Sequence, residues 1–411
     1  MLLWGRRVVR RGPQAAFAAA FSSGAPARRV FAWGDGKNGK LGLPASSGKT
    51  VLSPYIIDSL DDFNVVNVCV GLEHTAALTE EGQVLTWGLG SKYRLGHGTE
   101  ESEEAPRVVE GLVGHHIDSV VCGELYSAAL SSEGRVFTWG NDAGRLSSST
   151  FVLGHGTAEP TAVPTEIEFF QSEGIRIVQI AGGKSHMLAL DEHGGVWAWG
   201  KGDYGRLGNG DVASQAVPTP IEMFEEIPVK FIAAGEHHGS AIADDGEVWM
   251  WGRNHQGQLG MGGGLTMDMY AMEGYPCVLA ANEEDHEVND LDAEFVACGS
   301  SNAAMIADNG EVYAWGSSGW LSPHRMSLLS GIGAWKVSCG GSNFFALTRD
   351  GDLYSWSKSG IMGQSKSLGH GSSGFGSSLA QPTLVEALAP WKVLDVSAGK
   401  NHAVVVAEKR T

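Results

Sequence analysis

The stretch VVNVCVGLEHTAALTEEGQVLTWG, residues 65–88, contains three short apolar runs separated by glycine-containing turns. The first run is rich in β-branched residues, which predicts a strand. The tripeptide EEG between the second and third runs predicts a hairpin turn, because glycine adopts a positive φ without steric cost. A meander of about four such short strands is too small to be stable alone, so its faces must pack against neighbouring sheets.

The pattern of this stretch recurs along the chain, which indicates an internal repeat. In six copies a strand glycine lies 16 residues before a Trp, and a turn glycine lies between them, 11 residues after the first glycine and 5 before the Trp. The strand glycines are Gly71, Gly123, Gly183, Gly235, Gly299 and Gly340. The tryptophans are Trp87, Trp139, Trp199, Trp251, Trp315 and Trp356, and Trp33 makes a seventh.

The two ends of the repeat array complete each other. Trp33 has no preceding glycine unit, and the final unit VLDVSAGKNHAVVVAE, which contains Gly399 and His402, has no following Trp. A linear solenoid would need polar caps and would leave no half-units to pair. We therefore predict an all-β fold, a seven-bladed β-propeller over residues 30–411 that is closed by pairing of the N- and C-terminal halves. Three segments break the period and are predicted insertions, at about residues 146–152, 261–292 and 364–380.

Residues 1–29 contain six arginines and no acidic residue, and they are rich in alanine. This composition is typical of a mitochondrial transit peptide, and it predicts import, with the matrix as destination and cleavage around Phe21. A secretory signal is an alternative, although Arg11 and Pro13 crowd its apolar core. An uncleaved basic arm or a disordered leader is another.

The chain has 411 residues and a formal charge of −18, so the part after the leader carries −18 − 6 = −24. A propeller with this negative charge repels nucleic acid over most of its surface. We therefore do not expect direct nucleic-acid binding. No apolar run of roughly 18 residues occurs, so no transmembrane segment is predicted.

Gly200, Gly202 and Gly205 form a G-x-G-x-x-G sequence. A dinucleotide site needs a helix after this motif, and no helical pattern follows it here. We find no nucleophile elbow, zinc helix or Walker loop, so we predict no catalytic residue, cofactor or metal site. Each blade carries one histidine or other polar residue three positions after its strand glycine. Residues in different blades are too far apart to form a zinc site, and we expect these side chains to be buried with a ring nitrogen bonded to backbone. They are His74, Tyr126, His186, His238, Asn302, Asn343 and His402.

The repeat unit resembles that of the regulator of chromosome condensation repeat family. The resemblance rests on the strand glycine with its following H/N-x-x-A-L, the acidic-Gly turn, V-x-x-WG and the later G-x-LG. The resemblance covers about residues 30–411 and is strongest at WGDGKNGKLG, WGKGDYGRLG and WGRNHQGQLG; it is weaker at WGSSGWLS and WSKSGIMG. It implies a seven-bladed propeller. It also implies that the residues after each strand glycine form one rim. In the family's plant ultraviolet photoreceptor these places carry Trp and Arg, and this chain has neither there, which argues against light sensing.

The resemblance and the insertions together suggest which residues meet a partner. The family's guanine-nucleotide exchange factor uses an extended loop as a wedge, and residues 141–153 are the nearest analogue, although no motif transfers. Methionine-rich segments such as residues 261–272 adapt to partner surfaces. The candidate partner-binding residues are Leu72, Glu73, Glu124, Leu125, Tyr126, Lys184, Glu236, His237, Lys400 and Asn401 on the rim, with Phe151, Met267, Met269 and Met272 in the insertions.

These features predict a non-enzymatic mitochondrial propeller that binds protein partners, as an accessory subunit of a large mitochondrial assembly. One alternative is a guanine-nucleotide exchange factor for a mitochondrial GTPase, by analogy of fold. Another is a factor for mitochondrial ribosome assembly or RNA processing that acts through protein. The partners implied are proteins, including a small GTPase in the first alternative.

Overall fold

The computed structural model describes residues 28–141, 150–262, 271–279, 292–317, 319–357, 364–371 and 379–411. These residues contain seven four-stranded antiparallel sheets, the blades of the propeller. In each blade one edge strand lies nearest the axis, where it contacts the corresponding strands of the neighbouring blades. We call it the first strand of the blade; in blade 1 it is the strand Trp391–Ala398. The predicted all-β, seven-bladed architecture is confirmed.

The strands follow one another from blade to blade along the chain. Blade 1 begins with β1 (Arg28–Asp35) and β2 (Thr50–Ile56) and is completed by the last two strands of the chain. Blade 2 contains β3 (Val65–Val70), β4 (His74–Thr79), β5 (Val84–Gly88) and β6 (Glu103–Val108), and blade 3 contains β7 (Ile117–Cys122), β8 (Tyr126–Ser131), β9 (Val136–Gly140) and β10 (Thr161–Glu166). Blade 4 contains β11 (Ile177–Gly182), β12 (His186–Asp191), β13 (Val196–Gly200) and β14 (Gln215–Pro220).

The remaining blades repeat this order. Blade 5 contains β15 (Val229–Ala234), β16 (His238–Ala243), β17 (Val248–Arg253) and β18 (Met272–Val278). Blade 6 contains β19 (Ala293–Cys298), β20 (Asn302–Ala307), β21 (Val312–Gly316) and β22 (Trp320–Arg325). Blade 7 contains β23 (Ala334–Cys339), β24 (Asn343–Thr348), β25 (Leu353–Ser357) and β26 (Thr383–Leu384), and β27 (Trp391–Ala398) with β28 (His402–Lys409) completes blade 1.

Helical structure in the described residues is confined to short connections. The α-helix α1 spans Glu168–Ser172. None of the helices in this part of the chain is long and apolar enough to cross a membrane. The 3-10 turns are Lys37–Gly39, Pro44–Ser46, Asp58–Leu60, Ser91–Tyr93, Glu110–Leu112, Asp203–Gly205, Glu222–Glu225, Ser327–Leu329, Gln364–Ser367 and Glu386–Leu388.

Blade 1 closes the ring as predicted. Strand β1 pairs with β28, which places Trp33 opposite Ala403 and Gly34 opposite His402. The predicted propeller start at residue 30 is two residues late, because Arg28 and Arg29 already pair with β28. Residues 1–27 of the predicted leader lie outside the described part of the chain.

The seven repeat tryptophans are fully buried and pack between blades. Trp87 shows the arrangement: its Nε1 donates to the Lys40 carbonyl of blade 1 at 3.0 Å. Equivalent bonds to the preceding blade are donated by Trp33 to Ser367, Trp139 to Arg94, Trp199 to Val152, Trp251 to Arg206 and Trp315 to Gln258.

The two ends of the propeller differ in their connections. The upper face, as we call it, carries the turns after the first strands and the loops after the third strands; the lower face carries the hairpins between second and third strands and the links between blades. Strand β18 (Met272–Val278) lies within the predicted insertion 261–292, so that segment is not one insertion. Val152, predicted to lie in the first insertion, is core.

Candidate functional site on the upper face

The predicted rim residues occupy the turns between the first and second strands, around the axis of the upper face. The turns approach one another because the strand residue before each is glycine. A Cβ on Gly235 would lie 2.5 Å from the Gly299 carbonyl oxygen of the next blade, which no real Cβ contact allows. Backbone bonds link the turns, for example from Glu236 N to Gly299 O at 3.0 Å.

Ion pairs between blades hold several of the predicted rim side chains together. Lys184 Nζ lies 2.8 Å from Glu236 Oε1 and 4.0 Å from Glu124 Oε2, so one lysine joins blades 3, 4 and 5. Burial raises the pKa of Glu236, but the hydrogen bond and charge of Lys184 outweigh it, so the pKa of this carboxyl is lowered. Lys400 contributes to the same lowering.

Glu73 belongs to a second cluster, at the boundary of blades 1 and 2. Lys40 is fully buried, and its Nζ lies 2.9 Å from Asp35 Oδ2 and 3.0 Å from Glu73 Oε2. The repeat places this lysine directly before Leu-Gly in the loop after the third strand. Lys40 is absent from the predicted site residues, although its place in the G-x-LG motif of the sequence was a signal for it.

The other predicted residues divide by exposure. Leu72, Leu125 and Phe151 are half-buried, whereas Lys400 and Asn401 are exposed. Met272 begins β18 at the upper face and is 41% exposed. Met267 and Met269 lie outside the described residues.

Tyr126 corrects the predicted partner-binding set, because it is fully buried. Its hydroxyl donates toward the carbonyl oxygens of Gly183 and His186, both at 2.9 Å. Burial raises the pKa of Tyr126 well above its ordinary value, so the hydroxyl stays protonated and serves the contact between blades 3 and 4. A partner that docks on the surface does not reach it.

The predicted buried histidines are buried, but two of them bond to side-chain hydroxyls rather than backbone. His74 Nε2 lies 2.8 Å from Ser127 Oγ, and His402 Nε2 lies 3.2 Å from Thr75 Oγ1. The Thr75 hydroxyl donates its proton to the Lys40 carbonyl, so His402 must donate from Nε2. Burial keeps the pKa of both histidines well below the ordinary value, so they are neutral links between blades.

The G-x-G-x-x-G sequence at residues 200–205 forms a turn. Strand β13 ends at Gly200, and a 3-10 turn of three residues, Asp203–Gly205, follows in place of a helix. Gly205 has φ +67°, and Gly208 packs on the Trp251 ring. The described residues contain no group of three or more His, Cys, Asp or Glu arranged to hold a metal ion.

The family follows from comparison with known proteins. A family model described as RCC1-like domain matches residues 29–405. The chain belongs to the RCC1-like family. The Ultraviolet-B receptor UVR8 of Arabidopsis thaliana is 34% identical over 366 residues, which are 84% of this chain and 75% of the receptor.

Further likenesses agree with this family. The Arabidopsis thaliana RCC1 domain-containing protein RUG3, mitochondrial, is 37% identical over 245 residues, which are 57% of this chain and 52% of that protein. The structure of Prp20p from Saccharomyces cerevisiae superposes with a TM-score of 0.82 at 25% identity, covering 98% of this chain and 96% of Prp20p. Human E3 ubiquitin-protein ligase HERC2 is 38% identical over 237 residues, and the match spans only 5% of that ligase.

Proposed function

We propose that the protein is a non-enzymatic mitochondrial propeller that binds protein partners through its upper face, as an accessory subunit of a large assembly in the matrix. The observation that carries the proposal is the rim, where Glu124, Lys184 and Glu236 are held by ion pairs between three blades. Charged side chains fixed in this way present a pattern that a partner can recognise without first ordering them. Loops on a rigid scaffold are a common place for binding residues.

Other predicted elements lie at the same face. Asn141, which precedes the first predicted insertion, and Thr150, which lies within it, both follow the third strand of blade 3 and so belong to the upper face. Met272 lies at that face too, beside Arg253 in the strand register. A partner on the rim therefore meets the face at which Thr150 and Met272 lie.

The two faces of blade 1 offer a matched pair of lysines to test the proposal. Lys400 is exposed in the upper turn, and Lys409 is exposed at the lower end of β28. Tagged wild type, Lys400→Glu and Lys409→Glu are purified from mitochondria and the bound proteins are identified by mass spectrometry. The proposal expects Lys400→Glu to lose proteins that wild type and Lys409→Glu retain. Recovery of wild type only as a free monomer would contradict the proposal.

The mitochondrial address rests on the arginine-rich residues 1–29 and agrees with the mitochondrial designation of the relative RUG3. Import into isolated mitochondria tests it, with and without a membrane potential. Full-length chain should become protected from added protease only when the potential is present. Arg6, Arg7, Arg10 and Arg11 changed together to Gln should abolish the protection; protection without them contradicts a cationic presequence.

A second candidate is guanine-nucleotide exchange on a mitochondrial GTPase, and the likeness to Prp20p favours it. The Prp20p structure is described with that protein's binding to Gsp1p and histones. Catalytic amounts of this protein should then accelerate release of labelled GDP from its GTPase, and Lys409→Glu should act as wild type does. Absence of acceleration across the mitochondrial GTPases excludes this candidate and leaves the binding proposal standing.

The third candidate, a ribosome-assembly or RNA-processing factor, would act through protein because the chain carries −18. Ribosomal proteins that co-purify with wild type but not with Lys400→Glu would support it. Salt-sensitive retention of the purified chain on RNA would instead indicate direct contact.

A further inference from the structure

Three blades place a buried cation at the same point of the upper face. Lys40, Arg94 and Arg206 each precede Leu-Gly in the loop after the third strand, and each is 3% exposed or less. Buried charges need partners, since desolvation without compensation is costly. Lys40 has two carboxylates, and Arg94 donates to the carbonyl oxygen of Ser91 at 2.8 Å and of Glu124 at 2.7 Å.

Arg206 differs because the position equivalent to Glu73 in its next blade carries no acid. Glu73 lies two residues after the strand glycine of blade 2, and the same position in blade 5 is His237. Arg206 Nε donates to the Asp203 carbonyl at 2.8 Å. Within the described residues, no carboxylate oxygen lies within 4.0 Å of its guanidinium. The Asp203 carboxylate pairs instead with Lys201 at 2.8 Å.

A second arginine, Arg253, lies beside the first and has no carboxylate partner in the part of the chain that the structure describes. The Arg253 guanidinium lies 4.5 Å from the centre of the Tyr204 ring, and the Arg206 guanidinium lies 5.7 Å from the same ring. The ring of His237 is 5.7 Å from Tyr204. Arg253 Nε and His237 Nδ1 are both buried and have no hydrogen-bond partner. We call these four residues the arginine cleft: Tyr204, Arg206, His237 and Arg253.

The charges of the cleft are not balanced internally. Burial lowers the pKa of Arg206 to about 10, which leaves it charged at neutral pH. Burial and the positive charges of Arg206, Lys184 and Arg253 hold the pKa of His237 far below its ordinary range, so His237 is neutral. Glu236 Oε1 lies 3.6 Å from His237 Nε2 but is engaged by Lys184 at 2.8 Å. Lys184, Lys201, Arg206 and Arg253 against Glu124, Asp203 and Glu236 give +4 − 3 = +1, in a chain whose formal charge is −18.

We propose that the arginine cleft binds a carboxylate side chain presented by a protein partner, which contacts the half-buried Arg253 beside the buried charge of Arg206. The inference rests on the proposed function of the upper face and names the chemistry of its partner. A carboxylate has two oxygens in the plane of a guanidinium fork, which suits paired arginines. Met272, exposed and opposite Arg253 in the strand register, supplies an apolar contact beside the charge. The acidic body disfavours a nucleic-acid backbone at this position.

The substitution His237→Glu tests the cleft from within, because it recreates the pair that Lys40 and Glu73 form. The probe is fluorescein-labelled acetyl-hexaglutamate amide, titrated at low salt against a hexaserine peptide of the same design. Wild type should bind hexaglutamate saturably and at least tenfold more tightly than hexaserine. Both His237→Glu and Arg253→Ala should weaken that binding at least tenfold, whereas Lys409→Glu should leave it unchanged.

Thermal unfolding gives a second readout that does not need the probe. His237→Glu should raise the Tm because Arg206 gains a counter-ion, and a Tm below that of wild type overturns the proposal. Equal binding of hexaglutamate by wild type and His237→Glu would also overturn it. The absence of saturable binding by wild type would do the same. Inorganic phosphate that displaces hexaglutamate at a tenfold lower concentration than sodium acetate would assign the cleft to phosphate groups instead. Loss of cellular partners by Lys400→Glu with no hexaglutamate binding rejects the cleft alone and leaves the proposed function intact.

Discussion

At the scale of the residue, the repeat tryptophans combine packing with a hydrogen bond, and one of them lacks the bond. Trp356 Nε1 is buried and has no hydrogen-bond partner among the residues that the structure describes, although its ring stacks on that of Phe344 with 5.3 Å between the ring centres. The carbonyl that its six counterparts use comes from the loop after the third strand of the preceding blade. In blade 6 only residues 317–319 separate β21 from β22. The shortened WGSSGWLS signature therefore removes the acceptor of a tryptophan in the next blade.

This difference predicts unequal effects of the same substitution at two tryptophans. Trp87→Phe removes a buried hydrogen bond, whereas Trp356→Phe removes a buried donor that has no acceptor. Both lose similar ring area, so Trp356→Phe should cost about 1–2 kcal/mol less in free energy of unfolding. Chemical denaturation of the two variants and wild type measures the difference. Equal losses would mean that Trp356 finds an acceptor in solution.

At the scale of the element, β1 closes the ring and anchors it to the next blade. Arg28 is 9% exposed, and its Nη1 lies 3.0 Å from Asn64 Oδ1 and 3.3 Å from Glu80 Oε2 of the segment that forms blade 2. Arg29 forms an ion pair with Asp61. The composition of residues 1–29 hides this, because all six arginines look like parts of one basic leader. Two of them belong to the strand that completes blade 1.

Three shortened chains test where the propeller starts. A chain of residues 28–411 should be more stable than one of residues 30–411 by about 1 kcal/mol, since only the longer one keeps the part-buried Arg28 contacts. A chain of residues 36–411 lacks β1 and its Trp33, and should not fold cooperatively. Circular dichroism during thermal unfolding compares the three. An identical Tm for the first two chains would mean that the Arg28 contacts do not stabilise the propeller.

At the scale of the whole molecule, the sequence predicted what the repeat encodes and missed what lies between repeats. Equal spacing from Gly71 to Trp87 in every copy reveals a blade, and unmatched ends reveal closure. The arginine cleft depends on which residue of one blade faces which residue of the next. Arg206 and His237 each look ordinary within their own copy, and only the contact between blades leaves the cation without an acid. Likewise, β18 interrupts a segment whose glycines and methionines show no strand pattern.

The ring of buried histidines predicts how the whole propeller responds to acid. Burial lowers the pKa of His238 to about 4, and it holds the pKa of His74, His186 and His402 well below the ordinary 6.5. Between about pH 6.5 and 4 the unfolded chain therefore binds more protons than the folded one, so stability falls as the pH falls. Carboxyl groups with a lowered pKa, such as Glu236 with its ordinary value of 4.5, add to this loss only at the acid end of the window and below it.

The variant His238→Asn isolates one member of the ring, because blades 6 and 7 naturally carry Asn302 and Asn343 at this position. Each buried histidine contributes a slope of up to about 1.4 kcal/mol per pH unit between its two pKa values. The variant should therefore lose stability less steeply than wild type from pH 6.5 to 4.5, and the two curves should run parallel above pH 7.5. Urea denaturation midpoints across this range provide the measurement, with His193→Asn, at an exposed histidine, as the control. Parallel curves below pH 6.5 would mean that His238 is protonated within the folded ring, which would contradict its lowered pKa.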